Sequence, residues 1–106
     1  MTTHPIEKLF AIIQSRKGAD PNLSYTATLL AKGRLKCAKK LGEEAVETIL
    51  AAVAQDKTAL ANESADLLYH LLVLWAHRDL KPSEVWLTLA QREGISGVDE
   101  KKNRKS

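Results

Sequence analysis

The sequence predicts an all-α protein, a bundle of four to five helices completed by homodimerisation. Apolar residues recur every three or four positions through most of the chain, the period of a helix face. Leu and Ala dominate the apolar set, and the aromatic residues are only Phe10, Tyr25, Tyr69, Trp75 and Trp86. That bias suits packed helices. No segment alternates apolar and polar residues as a strand does, and no internal repeat is present.

Residues 5–16 read as the first helix. Pro5 is tolerated in a first turn, Glu7 suits the positive helix end, and Ile6, Leu9, Phe10 and Ile13 share a face. Gly18-Ala-Asp-Pro-Asn-Leu23 reads as a loop. Ser24 is an N-cap for a short helix from Tyr25 to about Ala31, and Gly33 marks a break. A long helix follows over roughly 34–54, with Leu35, Ala38, Ala45, Ile49 and Val53 as its expected apolar stripe. Gly42 inside it costs up to about 1 kcal/mol against Ala, which points to close packing or close ligand approach.

Asp56 caps the next helix, about 57–78. Leu60, Leu67, Leu68, Leu71, Leu72 and Trp75 make it apolar on more than one face, as expected of a helix buried on several sides or joined to another subunit. Asp79-Leu-Lys-Pro82 reads as a turn with Pro82 opening a last helix, whose inward residues are expected to be Val85, Trp86 and Leu89 and whose end is Gly94. Residues 95–106 form a polar, basic tail.

With 106 residues the chain makes one domain, 1–106, with a small core of the kind that gains from oligomerisation. Cys37 is the only cysteine, so no internal disulfide forms, as fits a reducing cytosol; it reads as a small core residue rather than a nucleophile. There is no signal-peptide pattern and no apolar run approaching the roughly 20 residues needed to span a bilayer. The expected location is cytoplasmic, with no membrane partner. The net charge of +3 is mild, but Lys32, Arg34, Lys36, Lys39 and Lys40 form one basic run and Lys101, Lys102, Arg104 and Lys105 another. Either can meet an anion, and either can be solvated surface.

The acids carry the functional signal. Glu44 and Glu47 lie three apart, as do Glu63 and Asp66, in an E-x2-E-x15-E-x2-D pattern preceded by Glu43. Residues three apart on a helix share a face. The two pairs are symmetric about residue 55, so a hairpin turning at Gln55-Asp56 sets Glu47 opposite Glu63 and Glu44 opposite Asp66. Four carboxylates then converge and repel one another unless a cation neutralises them. Oxygen ligands favour Mg²⁺, with Mn²⁺ as an alternative, and Mg²⁺ sites usually bring phosphate substrates. The bland account is a solvated acidic face tied to Lys39 and Lys40. It leaves unexplained why Glu63 and Asp66 interrupt an otherwise apolar helix. Lys40, one turn before Glu44, is either its partner or a phosphate ligand, and His70, one turn after Asp66, is a core residue or a ligand. No Ser-His-Asp, Cys-His or zinc-spaced set is present, and no G-x-G-x-x-G or P-loop.

The acidic pattern resembles the metal motif of the all-α nucleoside triphosphate pyrophosphatases, the MazG-like superfamily. The flanking blocks are similar to those of the phosphoribosyl-ATP pyrophosphatase family within it: Ser24-Tyr-Thr26, Lys40-Leu-Gly-Glu-Glu-Ala-Val-Glu47, Glu63-Ser-Ala-Asp-Leu-Leu-Tyr-His-Leu-Leu-Val-Leu74, Arg92-Glu-Gly-Ile-Ser-Gly97 and Glu100-Lys101. The chain departs from the family pattern at Cys37 and at Lys102-Asn103, away from the acids. The resemblance implies a hydrolase of histidine biosynthesis that cuts 1-(5-phosphoribosyl)-ATP to the AMP derivative and pyrophosphate. It implies Mg²⁺ held by Glu44, Glu47, Glu63 and Asp66, phosphates bound by lysines such as Lys36 and Lys40, and a homodimer. One carboxylate orients the attacking water, and the resemblance leaves that role open among Glu43 and the metal-binding acids, Glu44 and Glu47 included. A substrate with an additional ribose 5-phosphate needs an additional anion site, for which Lys101 and Arg104 are candidates.

Two rivals differ in what they require. A house-cleaning pyrophosphatase acting on noncanonical nucleotides shares the metal site but has no use for the tail. A nucleic-acid-binding protein uses the basic runs but leaves four converging acids unexplained. The expectation is therefore a small-molecule nucleotide substrate and no nucleic acid.

Overall fold

The structure is a computed structural model, and it describes residues 4–93. Among the described residues five helices follow one another: α1 Pro5–Ser15, α2 Tyr25–Lys32, α3 Arg34–Ala54, α4 Lys57–His77 and α5 Pro82–Gln91. The protein is all-α, as expected.

The helix boundaries follow local chemistry. Before α1, His4 Nδ1 accepts from the Ile6 N–H at 3.1 Å, and Pro5 opens the helix. Ser24 Oγ accepts from the Ala27 N–H, and Asp56 Oδ1 from the Ala59 N–H at 2.9 Å, so α2 and α4 start on side-chain caps. Gly33 separates α2 from α3 at φ 94°, a conformation that L side chains rarely adopt. α4 closes through Asp79, held at φ 58°, with the Leu80 N–H donating back to the Trp75 carbonyl at 2.9 Å. Lys17 binds Asp79 at 2.6 Å and ties the end of α1 to this turn. At α5 the Lys81 N–H donates to Glu84 Oε2, and the helix runs to Gln91. The expected stop, Gly94, lies outside the described residues.

The core gathers Phe10 and Ile13 from α1, Leu29 and Leu30 from α2, Cys37 from α3, and Leu72, Val73 and Ala76 from α4. Ile6, Leu9, Tyr69, Leu74 and Trp75 pack around it. Cys37 is buried as expected; its thiol donates to the Leu29 carbonyl at 3.3 Å, and burial pushes its pKa up.

Three expectations need correction. The stripe Leu35, Ala38, Ala45, Ile49 and Val53 does not face the core: Leu35, Ile49 and Val53 are 86%, 61% and 82% exposed, Ala38 is exposed and Ala45 only half-buried. The inner seam of α3 is instead Cys37, Leu41, Glu44, Thr48 and Ala51, a four-three-four-three spacing in which polar residues hold inner positions. On α5 only Val85 is half-buried; Leu89 is exposed, and Trp86 lies at the rim, edge-to-face on Trp75 with its indole N–H donating to Glu7 Oε1 at 2.9 Å. A side chain at Gly42 meets nothing within 4 Å, so close packing inside the chain does not explain that glycine. On α4, Leu72 is buried, but Leu68 is 43% exposed, and Leu60, Leu67, Leu71 and Trp75 are half-buried.

Candidate metal centre

α3 and α4 pack as an antiparallel hairpin across the turn at Gln55-Asp56. Thr48 stands between the two helices. Its hydroxyl lies 2.8 Å from the Glu44 carbonyl and 3.1 Å from the Glu63 carbonyl, bridging the two helices at mid-length. A residue near 48 is therefore level with one near 63, and the two acidic pairs come level with each other.

Carboxylate oxygens of Glu44, Glu63 and Asp66 all lie within 4.8 Å of one another. Glu44 and Glu63 are half-buried and Asp66 is exposed. Glu47 is exposed and is not one of these three, but it stands near enough to act on the charge of both Glu44 and Glu63. Burial first, and then Glu47 and Asp66 beside it, hold the Glu44 pKa above the ordinary carboxylate value, against a smaller opposing pull from Lys40. Burial, and then Glu47 and Asp66, raise Glu63 likewise. Both shifts are burial reinforced by neighbouring like charge, which a cation among the acids would relieve.

Hydrogen bonding shows a deficit at the same acids. Glu44 Oε2 and Glu63 Oε2 are buried and have no hydrogen-bond partner. Orphaned buried acceptors are costly and rarely kept without a reason. His70 closes one side of the cluster. It is 6% exposed, and its Nε2 is 3.9 Å from Glu44 Oε1, an electrostatic contact rather than a hydrogen bond. Burial, then Lys40, lower its pKa, which leaves the imidazole uncharged near neutrality and no substitute for a cation. An all-oxygen set with two unpartnered carboxylate oxygens fits a hard divalent ion. The cluster can hold one between the helices.

The remaining expected residues fall around this centre. Glu43 is not one of the converging acids; it pairs with Lys40, 3.2 Å away, in an i,i+3 pair. That bond, then the Lys40 charge, lowers the Glu43 pKa, and the same bond raises that of Lys40. Lys36 is half-buried one turn before Lys40. Lys101 and Arg104 lie outside the described residues.

Several neighbours carry no metal-ligand or nucleophile signature and are found only through the packing. Thr48 is one. Tyr69 is another, its hydroxyl hydrogen-bonded to that of Thr26. Tyr25 is a third, with its ring stacked on Tyr69 and edge-on to His70. For Thr48 a signal existed: its place on the same seam as Glu44 and Ala51.

The sequence of the chain is similar to those of known proteins. The family model described as phosphoribosyl-ATP pyrophosphohydrolase matches residues 6–93. The chain is 60% identical over 101 residues to a phosphoribosyl-ATP pyrophosphatase from Azospirillum brasilense, covering 95% of this chain and 91% of the relative. It is 59% identical over 99 residues to one from Paramagnetospirillum magneticum, covering 93% and 91%. A third, from Cereibacter sphaeroides, is 57% identical over 99 residues, covering 93% and 96%.

Proposed function

The chain belongs to the phosphoribosyl-ATP pyrophosphohydrolase family, and we infer that it is the hydrolase that releases pyrophosphate from 1-(5-phosphoribosyl)-ATP in histidine biosynthesis. Its reaction depends on Mg²⁺, with Mn²⁺ as a substitute. The observation that carries this reading is the convergence of Glu44, Glu63 and Asp66 within 4.8 Å, with an orphaned oxygen on each of the two glutamates.

Glu44, Glu47, Glu63 and Asp66 would hold the ion. It would supply positive charge to phosphate oxygens as negative charge builds on them. The chain's own residues do the rest. Lys36 and Lys40, on the approach to the acids along α3, bind the polyphosphate. Lys40 is tied to Glu43 at 3.2 Å, so its ammonium is already placed beside the cluster. One carboxylate accepts a proton from the attacking water, with Glu43, Glu44 and Glu47 as the candidates. Glu43 has the weakest claim on the ion, since its partner is Lys40. Lys101 and Arg104 receive the ribose 5-phosphate that distinguishes this substrate from an ordinary nucleoside triphosphate.

The protein works as a cytoplasmic homodimer, and residues 1–106 act as one domain. Support for the dimer is the apolar surface left open by the chain: Val46, Ile49, Leu50 and Val53 on one side of α3 are 54–82% exposed. No helix among the described residues is long and apolar enough to cross a membrane.

The test is direct. Purified protein with phosphoribosyl-ATP and Mg²⁺ should release pyrophosphate, chelation should stop the release, and Mn²⁺ should restore it. Release that continues undiminished in excess chelator would sink the metal assignment; turnover of ordinary nucleoside triphosphates but not phosphoribosyl-ATP would sink the substrate.

A further inference from the structure

Beside the acids stands an aromatic group that neither the metal nor the phosphates require. Tyr25 opens α2 and is 57% exposed, with its ring in a cluster with Tyr69 and His70. It lies 6.4 Å from the Tyr69 ring at an interplanar angle of 21°, and 6.4 Å from His70 at 87°. Tyr69 and His70 are themselves 5.0 Å apart, edge-to-face. The Tyr69 hydroxyl is held by Thr26, so the support of Tyr25 is fixed to α2 from the next residue along. His70 in turn reaches Glu44. Tyr25 is therefore one side chain removed from the acidic centre. It is also close enough to Lys40 to contribute to the raised pKa of that lysine, after the Glu43 hydrogen bond.

A ring braced by Tyr69 and 57% exposed at the edge of the acidic site has a face free for stacking. A nucleotide whose phosphates lie at the acids and Lys40 carries a flat base next to them. We propose that Tyr25 is the platform on which the purine of the nucleotide substrate stacks, an inference that rests on the nucleotide reaction above. Stacking requires only a π-face. The N1-ribosylated adenine of this substrate is in addition an amidine that takes up a proton readily. A cationic base over the electron-rich face of a tyrosine gains further attraction. Tyr25 thus supports the base-bearing half of the substrate while the acids and lysines hold the phosphate half.

Equilibrium binding separates this role from support of the fold. The probes are α,β-methylene-ATP, which carries a base and does not turn over, and inorganic tripolyphosphate, which has none, each titrated calorimetrically with Mg²⁺ present. Tyr25→Ala should weaken the nucleotide analogue by about tenfold or more and leave tripolyphosphate unchanged. Tyr25→Phe and Tyr25→Trp, which keep a ring, should retain most of the nucleotide affinity. In turnover the Ala variant should raise KM for phosphoribosyl-ATP much more than it lowers kcat. If circular dichroism shows Tyr25→Ala to be unfolded, Tyr25→Leu fills the contact with Tyr69 without a π-face and makes the same comparison. Equal losses for both probes, or none for either, would overturn the platform. A wild-type protein that binds the analogue but does not cleave phosphoribosyl-ATP would instead refute the assigned reaction, and the binding comparison would still decide the role of Tyr25.

Discussion

The two faces of α3 reverse the usual arrangement of a small helical protein. Its inner face, turned to α4, carries Glu44 half-buried against Glu63, with two acceptor oxygens unpartnered. Its outer face carries Val46, Ile49, Leu50 and Val53, all more than half exposed. Acids lie inside and aliphatics outside. Each face is unfavourable for the chain alone, and each becomes favourable once something is added: a cation within, a second apolar surface without. The core proper lies toward the other end of the hairpin, where Cys37, Leu72, Val73 and Ala76 meet α1 and α2. The core and the acidic cluster thus occupy different lengths of the same two helices.

The strongest way to break this contrast is to neutralise the inner face. Asp66→Asn or Glu47→Gln should lower Mg²⁺-dependent kcat/KM by about a thousandfold or more, since a bound ion supplies several kcal/mol of transition-state stabilisation. The metal-free variants should melt no lower than the metal-free wild type, because a repulsive charge has gone. Near-normal turnover in both would exclude these acids from the ion site.

The outer face is tested by Ile49→Glu. Burying an isoleucine side chain is worth about 1.5–3 kcal/mol, and a two-fold interface buries it twice. The change should weaken dimerisation by about a hundredfold or more by sedimentation, with helix content by circular dichroism unchanged. If the wild type is itself monomeric at micromolar concentration, the exposed aliphatics need a different explanation.

These two faces also mark where sequence reading succeeded and where it did not. The helices were legible because their ends are local: Ser24 and Asp56 cap, Gly33 takes a left-handed φ, and Pro82 opens α5. The pairing of Glu44 with Asp66 was legible from symmetry about residue 55, because an antiparallel hairpin preserves it. The inner face of α3 was not. Hydrophobic periodicity finds the greasiest stripe of a helix, and here that stripe, Ile49 and Val53 included, looks away from the chain's own core. Thr48 and Ala51 lie on the true seam but are not greasy enough to announce it. Tyr25 stood in the Ser24-Tyr-Thr26 block but without a role, because stacking on Tyr69, 44 positions along, leaves no local spacing to detect.

A gentler probe of the inner face is pH. The folded-state pKa values of Glu44 and Glu63 lie above the ordinary carboxylate value. Folding therefore favours their protonated forms. Their contribution to stability is fully present below the ordinary carboxylate range and is lost as pH rises through the raised values. His70, whose folded-state pKa is lowered, acts in the opposite direction as pH falls, so the carboxyl effect is read in a His70→Gln background: there, in chelator, Tm should climb as pH falls from neutrality through that window. It should fall again only at lower pH, where Glu43 and Asp79, whose folded-state pKa values are lowered by Lys40 and Lys17, take up protons. Saturating Mg²⁺ should abolish the climb, because the ion competes with those protons, and Glu44→Gln should reduce it. A metal-free Tm of the His70→Gln protein that drops steadily from neutrality downward would contradict the shifts assigned to Glu44 and Glu63.

The smallest effect belongs to the residue that stands between the two helices. Thr48 is the one side chain among the described residues whose hydrogen bond joins α3 to the backbone of α4, through the Glu63 carbonyl at 3.1 Å. The same hydroxyl lies 2.8 Å from the Glu44 carbonyl, and one proton serves both acceptors. Both carbonyls are already within helices, so losing the hydroxyl orphans neither. Thr48→Val preserves shape and should cost about 1 kcal/mol, the net value of an ordinary hydrogen bond. In a domain of this size that is a Tm drop of about 4–8 °C. The informative readout is Mn²⁺ affinity, followed by the signal of the free ion without substrate. If the Thr48 bridge sets the register of Glu44 against Asp66, affinity should fall along with stability, although residue 48 contributes no ligand. If packing of the hairpin sets the register by itself, Tm falls and Mn²⁺ binding stays unchanged, and the acids owe their alignment to the helix pair as a whole.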